Sequence, residues 1–200
     1  LAVLPPLAFA TLRFAFVVFP AVFFLPRPKV PWRHLAAYGV LIGAGQFGLL
    51  YIAMNGLISP GLASLVVQVQ VFFTIGLAMA AAGEKIRPFQ VLALLLATGG
   101  IGVILAHTDG GATTPLGLVL VLLAAAGWAG GNHVAKLGGR VNMLAYVTWA
   151  SLFSVPPLLV LSLILEGWPA IRAGVEGASL ATWAAVAWQS AGNSLFGYAA

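Results

Sequence analysis

Cysteine is absent from these 200 residues, so no disulfide framework and no cysteine metal site can form. Acidic residues are scarce as well. Asp and Glu total four, and none of them pair up for metal or phosphoryl chemistry. Charge of either sign makes up 6% of the chain, against roughly 25% in soluble domains. With 62% hydrophobic residues and a mean hydropathy of +1.06, the chain cannot keep a surface that faces water all round.

What is present is long apolar runs. The few charges are clustered and leave stretches of about 19 to 24 residues between them, each long enough as a helix to cross a hydrocarbon layer roughly 30 Å thick. Seven spans are expected: Leu7 to Leu25, Leu35 to Ile58, Leu62 to Gly83, Phe89 to His107, Leu116 to Val134, Leu144 to Leu165 and Leu180 to Ala200. Breakers or charge mark every join, as in Pro26-Arg27-Pro28-Lys29-Val30-Pro31, Ser59-Pro60-Gly61, Thr108-Asp109-Gly110-Gly111 and the longer stretch from Glu166 to Ser179. The fold class is all-α, a polytopic membrane helical bundle. The chain starts at Leu1 without methionine and stops inside an apolar run, so it is expected to be a fragment of a longer protein; Arg13 within the opening run argues against a cleaved signal peptide.

Basic residues give the spans a direction. Of nine Lys and Arg, seven lie in the first, third and fifth joins (Arg27, Lys29, Arg33, Lys85, Arg87, Lys136, Arg140), the sixth join has Arg172, and Arg13 lies inside a span. The odd joins are therefore expected on the cytoplasmic side and residue 1 outside. Dispersal at helix ends, and not on one face, excludes a nucleic-acid surface. The lipid bilayer is the expected partner.

The chain also repeats itself. A shift of 137 positions aligns Leu7-Ala8-Phe9-Ala10-Thr11 with Leu144-Ala145-Tyr146-Val147-Thr148, and Pro20 with Pro157. Ten extra residues in the sixth join then move the offset to 147, pairing Ala44-Gly45-Gln46 with Ala191-Gly192-Asn193 and Tyr51 with Tyr198. Matched spans lie five apart, an odd number, so the two copies enter the membrane from opposite sides. Residues 1–107 are expected to be a first repeat lacking its first span, and 115–200 a second repeat truncated after its third. About seven spans of a ten-span, inverted-repeat protein would then be in hand. Pro20 and Pro157 are expected to kink equivalent helices.

Particular strings carry a family likeness: Pro5-Pro6 with Leu12-Arg13-Phe14, Gln46-Phe47, Gly61-Leu62-Ala63-Ser64-Leu65-Val66-Val67-Gln68 with Gln70 and Phe72-Phe73-Thr74-Ile75, Gly83-Glu84, and Gly127-Trp128-Ala129 with Asn132 and Lys136. Over nearly its whole length the chain resembles the EamA-type branch of the drug/metabolite transporter superfamily. The resemblance implies a secondary-type transporter of the bacterial inner membrane. It would export a small-molecule substrate, an amino acid or a derivative such as O-acetylserine or cysteine, by alternating access.

Polar groups within spans must meet neighbouring helices or a wet cavity. Gln46, Tyr51, Asn55, Ser64, Gln68 and Gln70 are expected to help form the substrate cavity, with Trp128, Asn132 and Asn193 from the second repeat. Ser64 and Gln68 share a helix face by their spacing, and Gln70 and Thr74 share another. Arg13, the one charge well inside a span, is either a partner for a substrate carboxylate or a side chain that snorkels to the interface or pairs with carbonyls or with a residue of an absent span; the second reading is preferred. Glu84, at the end of the third span, is expected to be a solvated join charge, with a gating role as the alternative. Gly39 with Gly43, and Gly127 with Gly131, have the spacing that lets helices approach closely. No metal site and no cofactor are expected. Gly100-Ile101-Gly102 lies in an apolar span with no strand before it, out of context for a nucleotide loop.

Two rival classes remain. An intramembrane serine hydrolase would need Ser64 and His107, both near the outer face, to meet; the G-x-S-x-G elbow is missing and His34, His107 and His133 are scattered. The other rival is a non-transporting membrane scaffold. An enzyme is not expected.

Overall fold

The computed structural model describes residues 4–82, 87–106 and 113–196, with the side chains at 82, 101, 104, 105 and 193–196 outside that description. Among the described residues there is no strand, only an isolated bridge between Ile58 and Thr113. The α-helices in chain order are α1 (Pro6–Val18), α2 (Trp32–Val40), α3 (Leu49–Met54), α4 (Pro60–Val66), α5 (Gln70–Ala82), α6 (Pro88–Ala106), α7 (Pro115–Leu137), α8 (Met143–Leu165), α9 (Trp168–Glu176) and α10 (Leu180–Trp188). Several merge into longer runs. A π-helix, Leu41–Gly48, joins α2 to α3; a 3-10 turn, Val67–Val69, joins α4 to α5; and a second π-helix, Gln189–Phe196, extends α10.

Helical runs occupy all seven expected places. Pro6–Phe23, Trp32–Met54, Pro60–Ala81, Pro115–Leu137 and Met143–Leu165 are each long and apolar enough to cross a membrane. The remaining two are the 19-residue α6 and the run 180–196. The protein is thus an all-α, multi-pass membrane bundle. One helix was not expected: α9 lies within the sixth join, with Arg172 and Glu176 paired at 2.7 Å on its exposed face.

Local chemistry explains where the helices begin. Proline occupies the first turn of α1, α4 and α7, where its missing N–H is no loss. Ser59, Thr114, Asn142 and Ser179 each cap the following helix by accepting a backbone N–H, from Leu62, Gly117, Ala145 and Thr182. After α3 and α8 the chain turns sharply at Gly56 (φ 86°) and Gly167 (φ 79°), backbone angles that disfavour a side chain.

The two related prolines behave differently. Pro20 does not kink a continuing helix: α1 has ended by Phe19, which is extended (ψ 124°), as the residue before a proline prefers. Pro156 and Pro157 sit inside α8, which runs on to Leu165. There α8 is packed along both α1 and α2.

Close approach between helices rests on glycine. A Cβ on Gly39 would fall on the Ala150 carbonyl oxygen, and one on Gly43 would lie 2.6 Å from Ser154 Cβ. With those side chains missing, α2 and the first π-helix sit directly on α8, and Ser154 Oγ donates to the Gly39 carbonyl at 2.8 Å. Gly127 and Gly131 play the same part on α7, against Gly45 and Ile42 of the first π-helix. Around these contacts Leu7, Phe14, Val17, Leu35, Tyr38, Ile42, Tyr146 and Leu158 form the main buried core.

The described joins gather at two ends, while the third join, Gly83-Glu84-Lys85, lies outside the described residues. At one end Trp149 Nε1 donates to the Leu25 carbonyl, and Tyr146 Oη to that of His34, tying the fifth join to the first. At the other end the second and fourth joins meet, since Thr114 donates to the Leu57 carbonyl from both its backbone and its hydroxyl. The sixth join reaches the same end through Glu166, described below.

Placing a methyl at Gly39 should therefore destabilise the bundle by about 1 to 3 kcal/mol, the range for overpacking. Gly76, in α5, has nothing within 4 Å of its would-be Cβ. Gly76→Ala should be neutral or stabilising by up to about 1 kcal/mol through helix propensity. Thermal unfolding of the two variants in one detergent compares them directly, with Gly39→Ala melting lower.

Candidate functional site

Arg13 lies on α1 with 2% of its surface exposed, so it does not snorkel to the interface. Aromatic rings hold it instead. Its guanidinium carbon stands 4.3 Å from the Phe47 ring centroid and 5.4 Å from that of Phe14. Snorkelling loses because α1 is covered along this face by α8, α10 and the second π-helix, leaving no short path to water. The π-helix supplies the cage. Phe47 comes from it and Tyr51 from the helix that follows, with rings 5.6 Å (Phe14 to Phe47) and 6.4 Å (Phe47 to Tyr51) apart. Such wider turns add a residue to one side of a helix and recur at functional sites. From the other side, Ser190 of the second π-helix donates to the Arg13 carbonyl at 2.9 Å.

Tyr51 has a second neighbourhood. It lines a cavity of about 240 Å³ with Pro6, Leu7, Asn55, Leu57 and Glu166. An adjoining cavity of about 270 Å³ shares Pro6, Tyr51 and Asn55. Both open at the end of the bundle where the even joins gather, away from the first and fifth joins.

Glu166 is the residue that sequence reasoning left in a join. Its carboxylate crosses from the C-terminal end of α8 to the first turn of α1, where Oε1 accepts from Leu7 N–H at 2.6 Å and Oε2 from Ala8 N–H at 2.9 Å. Ser162 Oγ donates to Oε2 at 2.6 Å. An acidic group is favoured at a helix N-terminus by the orphan N–H groups and the helix dipole. Here that group comes from 159 residues away in the chain. Ser162 and Glu166, four residues apart at the end of an apolar helix, were the only signal available.

The remaining candidates do not converge on this cavity. Gln68 is exposed and borders a separate cavity of about 200 Å³ with Leu65, Phe72, Ala97 and Gly100. Ser64 is exposed, and its hydroxyl donates to the Gly61 carbonyl one turn back. Gln70 is half-buried and accepts from Thr74 through its backbone and side-chain oxygens. These three sit apart from Tyr51 because the third span packs chiefly on α7, and not on α1 or α8. Gln46 is buried, and its Oε1 has no hydrogen-bond partner among the described residues. Trp128 and Asn132 are half-buried on α7, with Trp128 against the main core. Glu84 and His107 lie outside the described residues, as does the Asn193 side chain. Among the described residues no cluster of metal-ligating side chains occurs.

A polytopic helical bundle with polar groups turned inward, around an arginine cage and a polar-lined cavity, has the architecture of a membrane transporter. The chain belongs to the EamA-like transporter family, whose model matches residues 1–106. It is 41% identical to the probable amino-acid metabolite efflux pump of Escherichia coli strain K12 over 169 residues, which cover 82% of this chain and 56% of that protein. The pump of the same name from Salmonella typhimurium strain LT2 is 40% identical over the same extent. The chain thus spans about half the length of these curated relatives. It is a multi-pass protein of the bacterial inner membrane.

The cage predicts a measurable asymmetry between phenylalanines. Phe47→Leu removes the ring nearest Arg13, and should cost about 2 to 4 kcal/mol from the lost cation–π contact and the cavity left behind. Phe89 is 63% exposed. Phe89→Leu should stay within about 0.5 kcal/mol of the parent, as surface changes do. Melting temperatures in detergent test the difference.

Proposed function

We propose that the protein exports amino acids or closely related small metabolites by alternating access, as part of a ten-span transporter built from two inverted five-span repeats. Residues 1–107 belong to the first repeat, and 115–200 to the second. One observation carries this reading: the same unusual secondary structure occurs twice. A nine-residue α-helix followed by an eight-residue π-helix is found at Trp32–Val40 with Leu41–Gly48, and again at Leu180–Trp188 with Gln189–Phe196. The two are 148 positions apart, one residue from the offset of 147 that aligns the sequence with itself.

Packing adds support. The repeat-related helices α1 and α8 lie against each other, and each also takes the other repeat's π-helix: the first packs on α8, the second on α1. Two halves exchanging contacts in this way can trade conformations and open a cavity to either side in turn. The substrate class rests on the relatives, whose printed name is that of amino-acid metabolite efflux pumps. Tyr51 and Asn55 are the residues assigned to substrate at the outer cavity. Gln46, Ser64, Gln68, Gln70, Trp128, Asn132 and Asn193 are assigned to the walls of the path through the two repeats.

Metabolite profiling of cells overexpressing the complete transporter tests this. One or a few amino-acid metabolites should accumulate in the medium and fall in the cytoplasm. Asn55→Leu and Asn132→Leu should each cut that efflux about tenfold or more, the scale of losing a polar contact worth about 1.4 kcal/mol. Unchanged profiles with a stably inserted protein would remove the exporter reading. Unchanged efflux in both variants would remove the site assignment alone.

A further inference from the structure

The outer cavity carries a negative charge that the export reading does not use. Glu84 and Asp109 lie outside the described residues; of the two described carboxylates, Glu176 is paired with Arg172 on an exposed helix, while Glu166 lines the cavity. Among the described residues no lysine or arginine lines either outer cavity. Arg13 is held against the Phe14 and Phe47 rings.

Glu166 is also held in a fixed pose. Leu7 N–H, Ala8 N–H and Ser162 Oγ together occupy three acceptor positions, two of them on Oε2. A carboxylate offers about four. Oε1 therefore keeps room for one more donor, on a half-buried side chain at the cavity wall. The N–H groups of α1 bring partial charge only and do not neutralise a carboxylate. A cation with N–H donors is the ligand that completes such a group, through a charge-assisted hydrogen bond. Tyr51 and Asn55 supply uncharged partners beside it, and cavities of about 240 and 270 Å³ joined through these residues give space for a molecule of amino-acid size.

We propose that Glu166 determines specificity by binding the free ammonium group of the substrate at the outer cavity. This rests on the export reading and deepens it. N-acylated compounds, which keep the carboxylate but lose the ammonium, are then poor substrates. The competing account is that Glu166 only caps α1, in which case it affects all substrates alike.

L-cysteine and N-acetyl-L-cysteine separate the two accounts, measured as efflux from proteoliposomes holding the complete transporter. The wild type should move the free amine about tenfold faster or more, the factor that corresponds to 1.4 kcal/mol. Glu166→Gln should bring the ratio to within about twofold, because L-cysteine loses far more of its rate than the acetylated compound. Glu166→Asp, which keeps the charge, should retain the preference at a lower rate. Ser162→Ala loosens the carboxylate without discharging it, and should also retain the preference; it decides the matter should the glutamine variant fail to insert.

A wild-type ratio near one would overturn the proposal. So would an equal loss for both compounds in Glu166→Gln, or a loss of preference in Ser162→Ala equal to that in the glutamine variant. Replacing sodium with choline should leave both rates unaltered; their joint collapse would assign Glu166 to a metal cation and overturn ammonium binding. If neither compound moves in the wild type while profiling identifies other amine metabolites, the same ratio is read with one of those and its N-acetyl form. If profiling finds no exported metabolite at all, it is the export reading that has failed.

Discussion

The arrangement depends on the contact of α2 and the first π-helix with α8, where glycines at 39 and 43 let two backbones nearly touch. In a bilayer the apolar surface of a helix gains nothing by leaving lipid for another helix, so close packing and interhelical hydrogen bonds must hold the bundle. The Ser154 bond to the Gly39 carbonyl is one such bond, and it exists only because no side chain keeps the helices apart. Once α8 is fixed there, its other face receives α1. Its C-terminal end then brings Glu166 to the start of α1, and the cavity between Tyr51, Asn55 and Glu166 is a consequence of where those two ends meet.

Arg13 shows how the same solvent rule shapes the interior. A guanidinium at mid-membrane costs roughly 2.5 to 3.5 kcal/mol on translocon scales. A desolvated cation–π contact returns about 2 kcal/mol. Contacts with two rings are therefore of the size needed to keep the charge inside. The cage also links distant parts of the chain, because Ser190 of the second π-helix donates to the Arg13 carbonyl from 177 residues away.

Much of this was legible in the residues. Apolar runs bounded by proline, glycine and charge located all seven helical runs, and the basic first and fifth joins meet at one end while the second and fourth meet at the other. Gly39, Gly43, Gly127 and Gly131 were readable as contact points from spacing alone. The π-helices were not, since a one-residue change in helical phase leaves no mark in an apolar sequence. For Arg13 only the snorkelling option fails, because its distance from the span end was visible and the helices covering it were not. Glu166 escaped for a similar reason: its partners are backbone N–H groups 158 and 159 residues away, and backbone groups have no sequence signature.

The candidate site divides along the same line. Tyr51 and Asn55 were found as polar residues in an apolar run, and they do line a cavity. Ser64 and Gln68 gave an equally strong signal, yet they face outward from the third span, near α6 in the case of Gln68. Polarity within a span says that a residue needs a partner, not which partner it has. A non-local contact such as the one made by Glu166 carries that second piece of information. It fixes which end of α8 lies beside which end of α1, and hence puts a negative charge in a cavity that sequence polarity alone would describe as neutral.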